Sequence, residues 1–233
     1  MELRNPIPWV RIAAEGVAII VSILLAFTID AWRQKRGELI REKALVDGLM
    51  IEFTTAERLV EELISDHRSN VSKFSELNTL LSDSTAITQE NKIIDLSHAL
   101  WRVQVYFPRM PIYENLVNSI GLDAIQNENV RDALRLYQHE AIAQKGWDEY
   151  LKAFDQDLLV ATLLPRLPFY QQVFPDDGSD SGILVDVPSL ATDMEFRNIV
   201  AIRHSGESKL VELRLNLLQA VRDALHALET SKQ

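Results

Sequence analysis

Between Glu15 and Asp30 the chain carries an uncharged run, Gly16-Val-Ala-Ile-Ile-Val-Ser-Ile-Leu-Leu-Ala-Phe-Thr-Ile29. Crossing ~30 Å of hydrocarbon takes ~20 residues, so a run this short by itself also suits a buried helix or a signal-peptide core. Its flanks decide the matter. Trp9 and Trp32 bracket the run, and a helix rising ~1.5 Å per residue sets them ~34 Å apart, a separation that fits the two aromatic belts of a bilayer. The membrane span therefore reads as about residues 8–32. It takes in Arg11 and Glu15, which stand one turn apart and can neutralise each other near the interface. Asp30 can likewise pair with Arg33 or accept a hydrogen bond from Gln34.

The neighbouring residues argue for a retained anchor. Phe27-Thr28-Ile29-Asp30-Ala31-Trp32 lacks the small residues that a signal-peptide cleavage site needs. A helix lying on the membrane surface would show a polar face, whereas positions 16–29 are apolar all round apart from Ser22 and Thr28. Ala14, Ala18, Ser22 and Ala26 recur at every fourth position, a ladder that lets a second backbone approach closely and predicts a homo-oligomer. Arg33, Lys35, Arg36, Arg41 and Lys43 follow the span and outnumber Arg4, Arg11 and the amino terminus at its N-terminal end, which predicts a cytoplasmic C-terminal part.

Residues 1–32 thus form a tail and anchor, and residues 33–233 a helical soluble domain. From Trp32 to about Leu81 there is no proline, and the only glycines are Gly37 and Gly48. Apolar residues recur every seven: Leu39, Val46, Phe53, Val60 and Phe74 on one register, Leu49, Ala56, Leu63 and Leu77 on the other. This repeat predicts a long, partly coiled-coil helix continuing from the anchor. His67 and Asn70 fall on the same registers, where a buried polar group fixes register or marks a bend.

Beyond Ser82-Asp83-Ser84-Thr85, a turn, a second helix is expected over residues 89–104. Pro111 opens a short helix that Gly121 closes in the left-handed conformation, and Asn127 caps a long helix that ends before Pro165. Residues 165–190 contain Pro165, Pro168, Pro175 and Pro188 and read as the main loop. Within it, Asp176-Asp177-Gly178-Ser179-Asp180-Ser181-Gly182 reads as a solvated acidic turn, without the ligand order of a calcium loop. Helices resume from Thr192 or Asp193 to Ile202 and again from about Ser208 to Leu228. Strand alternation does not persist, with Ile183-Leu184-Val185 the best short candidate. The expected class is all-α, with an antiparallel helical bundle as the soluble domain.

The chemistry looked for is mostly missing. A net charge of −10 opposes a nucleic-acid partner, and zero cysteines remove disulfides, thiolate metal sites and cysteine nucleophiles. There is no Gly-rich phosphate loop, His-Glu-x-x-His or Gly-x-Ser-x-Gly. Asp95, His98, His139 and Glu140 could meet on a metal in a helical bundle, but such sites repeat Glu-x-x-His, which this chain lacks. They read as surface polar groups, and no catalytic residue, metal or cofactor is expected. Trp101, Tyr113, Tyr137, Trp147 and Tyr150 read as core.

The helix from Glu15 to Trp32, then Glu42 and Leu49, Tyr113-x-x-Leu116-x-x-Ser119, Leu122-x-x-Ile125, Val130-Arg131-x-x-Leu134-x-x-Tyr137 and Phe196-Arg197-Asn198-x-Val200 come in a familiar order. Over most of its length the chain resembles a family of uncharacterised bacterial single-pass membrane proteins, in which Ser and Gly adjoin where Ile120 here separates Ser119 from Gly121. The resemblance implies an N-terminal transmembrane helix, a helical domain and an inner-membrane location, with no activity or cofactor to carry over. The resulting expectation is a membrane-anchored interaction or scaffold protein whose partners are the lipid bilayer, further copies of itself and an unidentified protein. A sensory bundle that takes a small molecule at the Pro-rich loop or between helices is the alternative. A helix-bundle metal enzyme is the third.

Overall fold

The computed structural model describes residues 9–82, 86–101, 108–154, 160–167 and 185–232. Among these, 91% are helical and none lies in a strand, so the chain is all-α. It divides into two compact units, Met1–Gly48 and Leu49–Gln233.

The first helix, α1 (Trp9–Ser82), supplies every described residue of the first unit and opens the second. Its end at Ser82 is where the turn-forming cluster predicts it. Between Glu15 and Leu45 no described side chain is buried. Leu39, placed by its spacing on the heptad register, is 48% exposed, because within its own unit no second described helix covers it.

In the second unit the seven-residue repeat becomes a buried stripe. Leu49, Phe53, Ala56, Val60, Leu63, Phe74, Leu77 and Leu81 are all buried, and His67 and Asn70 are buried with them. After a 3₁₀ turn (Ala86–Gln89) comes α2 (Glu90–Ser97). The helix expected to reach residue 104 tightens to 3₁₀ over His98–Trp101, following Ser97, whose buried hydroxyl donates back to the Ile93 carbonyl at 2.6 Å. Residues 102–104 lie outside the description.

Pro111 does open α3 (Pro111–Asn115), but the cap comes from a distant part of the sequence. The Glu52 carboxylate on α1 accepts from the Ile112 amide at 2.7 Å and the Tyr113 amide at 3.0 Å, satisfying two first-turn donors. The chain then widens into a π-turn, Leu116–Ile120, in which the Gly121 amide donates to the Leu116 carbonyl at 2.7 Å. A π-turn holds one residue more than an α-turn. Ile120, 47% exposed, is the residue that parts Ser119 from Gly121. Gly121 has the expected positive φ of 90°, but its ψ of 143° is extended rather than left-handed helical.

Asn127 caps α4 (Glu128–Phe154) as its sequence position predicts, accepting from the Val130 amide at 3.3 Å. The single helix expected to reach Leu164 is described as α4 and α5 (Val160–Leu163), with residues 155–159 outside the description. Farther along the chain, two stretches depart from the expected pattern. Residues 187–190, assigned to the main loop, open α6 (Val187–Thr192), where Asp186 accepts from the Ser189 amide and Pro188 sits in the first turn, a position that needs no amide donor. The helices expected on either side of residues 203–207 are one helix, α7 (Met194–Thr230), capped by Asp193, which accepts from the Glu195 and Phe196 amides at 2.9 and 3.1 Å. Pro168, Pro175, the acidic turn of 176–182 and Ile183-Leu184 lie outside the described residues; Val185 is buried and not in a strand.

Contacts within the second unit place α7 against both α1 and α4. Along α1, Glu57 and Glu61 meet Arg222, His67 meets Glu207 and Ser82 meets Arg197. Along α4, Asp148 meets Arg214, and a Cβ at Gly206 would touch Leu151 at 3.4 Å. One apolar cluster joins Phe74, Leu77 and Leu81 to Ile93, Leu163, Leu190, Phe196 and Val200. Elsewhere Phe53, Tyr113 and Tyr137 pack edge to face, with ring centroids 4.9–5.8 Å apart. Of the other aromatics read as core, Trp101 and Trp147 are partly buried and Tyr150 is 59% exposed, on the α4 face away from Tyr137.

Candidate functional site: an exposed apolar helix and a buried polar layer

Two regions stand out chemically, and each lies within one unit. The first is the apolar part of α1. Val17, Ile19, Ile20, Val21, Ile23, Leu24, Leu25, Phe27, Ile29 and Trp32 are 44–68% exposed. It forms the one helix among the described residues long and apolar enough to cross a membrane, by length and composition, and none of its apolar window is buried. Thr28 returns its hydroxyl to the Leu24 carbonyl at 2.7 Å, which removes the need for water at that position. Of the residues singled out by sequence, Glu15, Ser22, Ala26, Asp30 and Trp32 are exposed on this helix. For Trp9, Arg11, Ala14 and Ala18 the description stops at the helical backbone. Arg36 lies over the Trp32 ring, its guanidinium carbon 5.4 Å from the centroid.

The second region is a polar layer buried inside the second unit, most of which the sequence pattern does not single out. His67 and Asn70 were marked by their register; their partners were not. His67 Nδ1 lies 2.7 Å from Glu207 Oε2, to which the Asn70 amide also donates at 3.3 Å. Arg203 stands one turn before Glu207, 3.5 Å from Oε1, with its guanidinium over Phe74. Farther along α7, Arg214 forks onto both oxygens of Asp148 at 3.0 and 3.1 Å and donates to the Gln144 side-chain carbonyl, while Gln144 donates to the Leu213 carbonyl at 2.5 Å. These seven side chains are 0–7% exposed.

Two guanidiniums stand against two carboxylates in the layer, so that each buried charge has an opposite one, as a low-dielectric interior requires. Burial pushes the Asp148 carboxyl above the ordinary aspartate range, against the opposing pull of Arg214 and His67. Burial likewise raises the Tyr113 phenol to about 12 and raises that of Tyr137, so both stay protonated and can donate, to the Leu134 carbonyl and the Met110 sulfur. The signal that could have exposed the layer is present in the sequence. Arg203, Glu207, Leu210, Arg214, Leu217 and Val221 follow the three-four spacing of a single helix face.

The residues considered for a metal do not gather. Asp95 and His139 are exposed and His98 and Glu140 partly so, and no group of three or more ligand-type side chains forms among the described residues. A shallow groove between α1 and α7 is lined by Glu61, Ile64, Ser65, Arg68, Leu215 and Leu218. Comparison with protein-family models, with curated proteins and with solved structures finds no match to this chain.

Proposed function

We propose that this chain is a single-pass membrane protein whose helical domain acts by holding or joining other proteins rather than by catalysis. One observation carries the reading: ten consecutive-turn apolar side chains of α1, from Val17 to Trp32, are left open by the rest of their unit. In water that surface is unfavourable by about 25 cal/mol per Å², and a contiguous patch of this kind marks a membrane or protein contact. The α-helix satisfies its backbone internally, as hydrocarbon demands. Trp32 with Arg36 supplies an aromatic and a cation at one end.

The interaction role rests on where the reactive side chains are. His67 and Arg203 meet Glu207, and Asp148 meets Arg214, all at 0–5% exposure, an arrangement that holds helices in register and does not meet a substrate. The opposed order of contacts along α7 supports an antiparallel bundle. The cationic flank after Trp32 supports a domain on the cytoplasmic side, in the inner membrane that the family resemblance implies. Ser22 and Ala26, open on the apolar helix with Ala14 and Ala18 at the same spacing, support self-association.

The test is alkaline extraction of membranes followed by protease treatment. Full-length chain should stay in the pellet at high pH and resist protease added outside spheroplasts. Release into the supernatant would defeat the anchor, and digestion would reverse the orientation. Crosslinking in membranes should then give a self-product that Ala18→Leu with Ala26→Leu reduces.

A further inference from the structure

The net charge of −10 is not evenly spread. Immediately after Trp32, residues 33–43 carry five cations, Arg33, Lys35, Arg36, Arg41 and Lys43, against two carboxylates, Glu38 and Glu42. All five cations are exposed. At 100° per residue, Trp32, Lys35, Arg36, Leu39, Ile40 and Lys43 share one face of α1, with Glu42 at its edge, while Asp30, Gln34, Glu38 and Arg41 lie on the other. Gln34 bonds Glu38 at 3.4 Å on that second face. The first face is thus both cationic and apolar, with Trp32 59%, Leu39 48% and Ile40 63% exposed.

Helical rise puts Lys35 and Arg36 ~5–6 Å beyond Trp32. If Trp32 sits at the boundary of the hydrocarbon, these two side chains stand in the headgroup layer, which adds ~5–7 Å to each side of the core. Arg36 already lies against the Trp32 ring, so its guanidinium is held at the level of the indole instead of reaching out into solvent. A planar guanidinium and an ammonium at that depth match phosphate oxygens, and Leu39 and Ile40 match the acyl boundary. Zwitterionic headgroups offer no net charge to this face; anionic ones do.

We propose that the face of Trp32, Lys35, Arg36, Leu39, Ile40 and Lys43 binds anionic phospholipid headgroups. This rests on the anchor reading and adds lipid selectivity to it. The face recruits acidic lipid around the helix as it leaves the bilayer.

The full-length chain carrying Trp9→Phe, reconstituted into nanodiscs, tests this through quenching by brominated phosphatidylglycerol or brominated phosphatidylcholine of the Trp32 fluorescence, taken as the difference from a chain carrying Trp9→Phe with Trp32→Phe, in which only Trp101 and Trp147 emit. The acidic lipid should quench at a several-fold lower mole fraction than the zwitterionic one. Lys35→Gln with Arg36→Gln, and separately ~1 M salt, where the screening length falls to ~3 Å, should each remove that preference while leaving quenching by both lipids intact. Equal quenching of the parent by the two lipids overturns the lipid-selective face and leaves the anchor standing. Quenching by neither lipid overturns both.

Discussion

Residues 17–32 and 49–81 belong to the same helix, and both are rich in Leu, Ile, Val, Phe and Ala, yet their large apolar side chains meet opposite environments. In the first stretch they are 44–68% exposed; in the second, Leu49, Phe53, Val60 and Leu77 are 0% exposed. The difference lies in arrangement. The first stretch is apolar all round, so no single neighbour could cover it. The second gathers most of its apolar residues on one stripe, which a partner helix covers, and leaves Ile51 open on the far side and Glu57, Glu61 and Arg58 to solvent and ion pairs. Hydrophobic content makes a helix seek burial, and its periodicity selects whether lipid or protein supplies it.

The comparison is broken most severely at the polar layer. Asp148→Ala leaves Arg214 buried without its carboxylate and should destabilise the domain by about 3–5 kcal/mol, read as a loss of urea midpoint at unchanged slope. Leu77→Ala, in the apolar stripe, should cost about 3 kcal/mol in the same measurement, whereas Leu24→Ala should leave it unchanged. Equal losses from the two would mean that both stretches are packed against protein.

Leu24→Arg sharpens the contrast from the other side. It places a charge in the apolar helix and should weaken membrane retention by about 2.5–3.5 kcal/mol on an insertion scale, seen as partial release at alkaline pH, with the unfolding midpoint of the bundle preserved. Glu52→Ala withdraws the carboxylate that caps α3 and should cost about 1–2 kcal/mol in urea unfolding.

The smallest expected effect is a pH dependence. The Arg166 guanidinium, and then the amide of Phe196, hold the Asp193 carboxyl below the usual carboxylate range. A depressed carboxyl stabilises the fold above its unfolded value of ~4 and loses that contribution as pH falls through its folded value. Asp193→Asn should therefore cost about 1 kcal/mol or less near neutrality, and the difference between variant and parent should shrink as unfolding is followed down to ~pH 3. A difference constant with pH would show that the ion pair with Arg166 does not tie protonation to stability.

Much of this was legible in the residues. The heptads named Leu49, Phe53, Ala56, Val60, Leu63, Phe74 and Leu77, and these are buried; the same count placed His67 and Asn70 inside, which they are. It failed at Leu39, because a register says which face is apolar and not whether a partner reaches that far. It failed again at residues 203–207. Arg203, Gly206 and Glu207 look like a gap between helices when polarity is taken as exposure, but here Glu207 meets His67, Arg203 lies over Phe74 and Gly206 faces Leu151. Residues 187–190 read as loop because Pro188 adds to the run of prolines there, although a proline is well tolerated in a first helical turn.

What the sequence determined alone was local or periodic: helicity, the uncharged run from Gly16 to Ile29, the heptad stripe, and caps such as Asn127 that bond within three residues of themselves. Those features depend on interactions between near neighbours, whose geometry a helix sets in advance. The tertiary structure decided the rest. Glu52 caps a helix 60 residues away, and Glu207 meets His67 across 140. A buried charge is tolerable only when its complement arrives from another helix, so the identity of the polar layer belongs to the packing of α1, α4 and α7 and to no single segment of the chain.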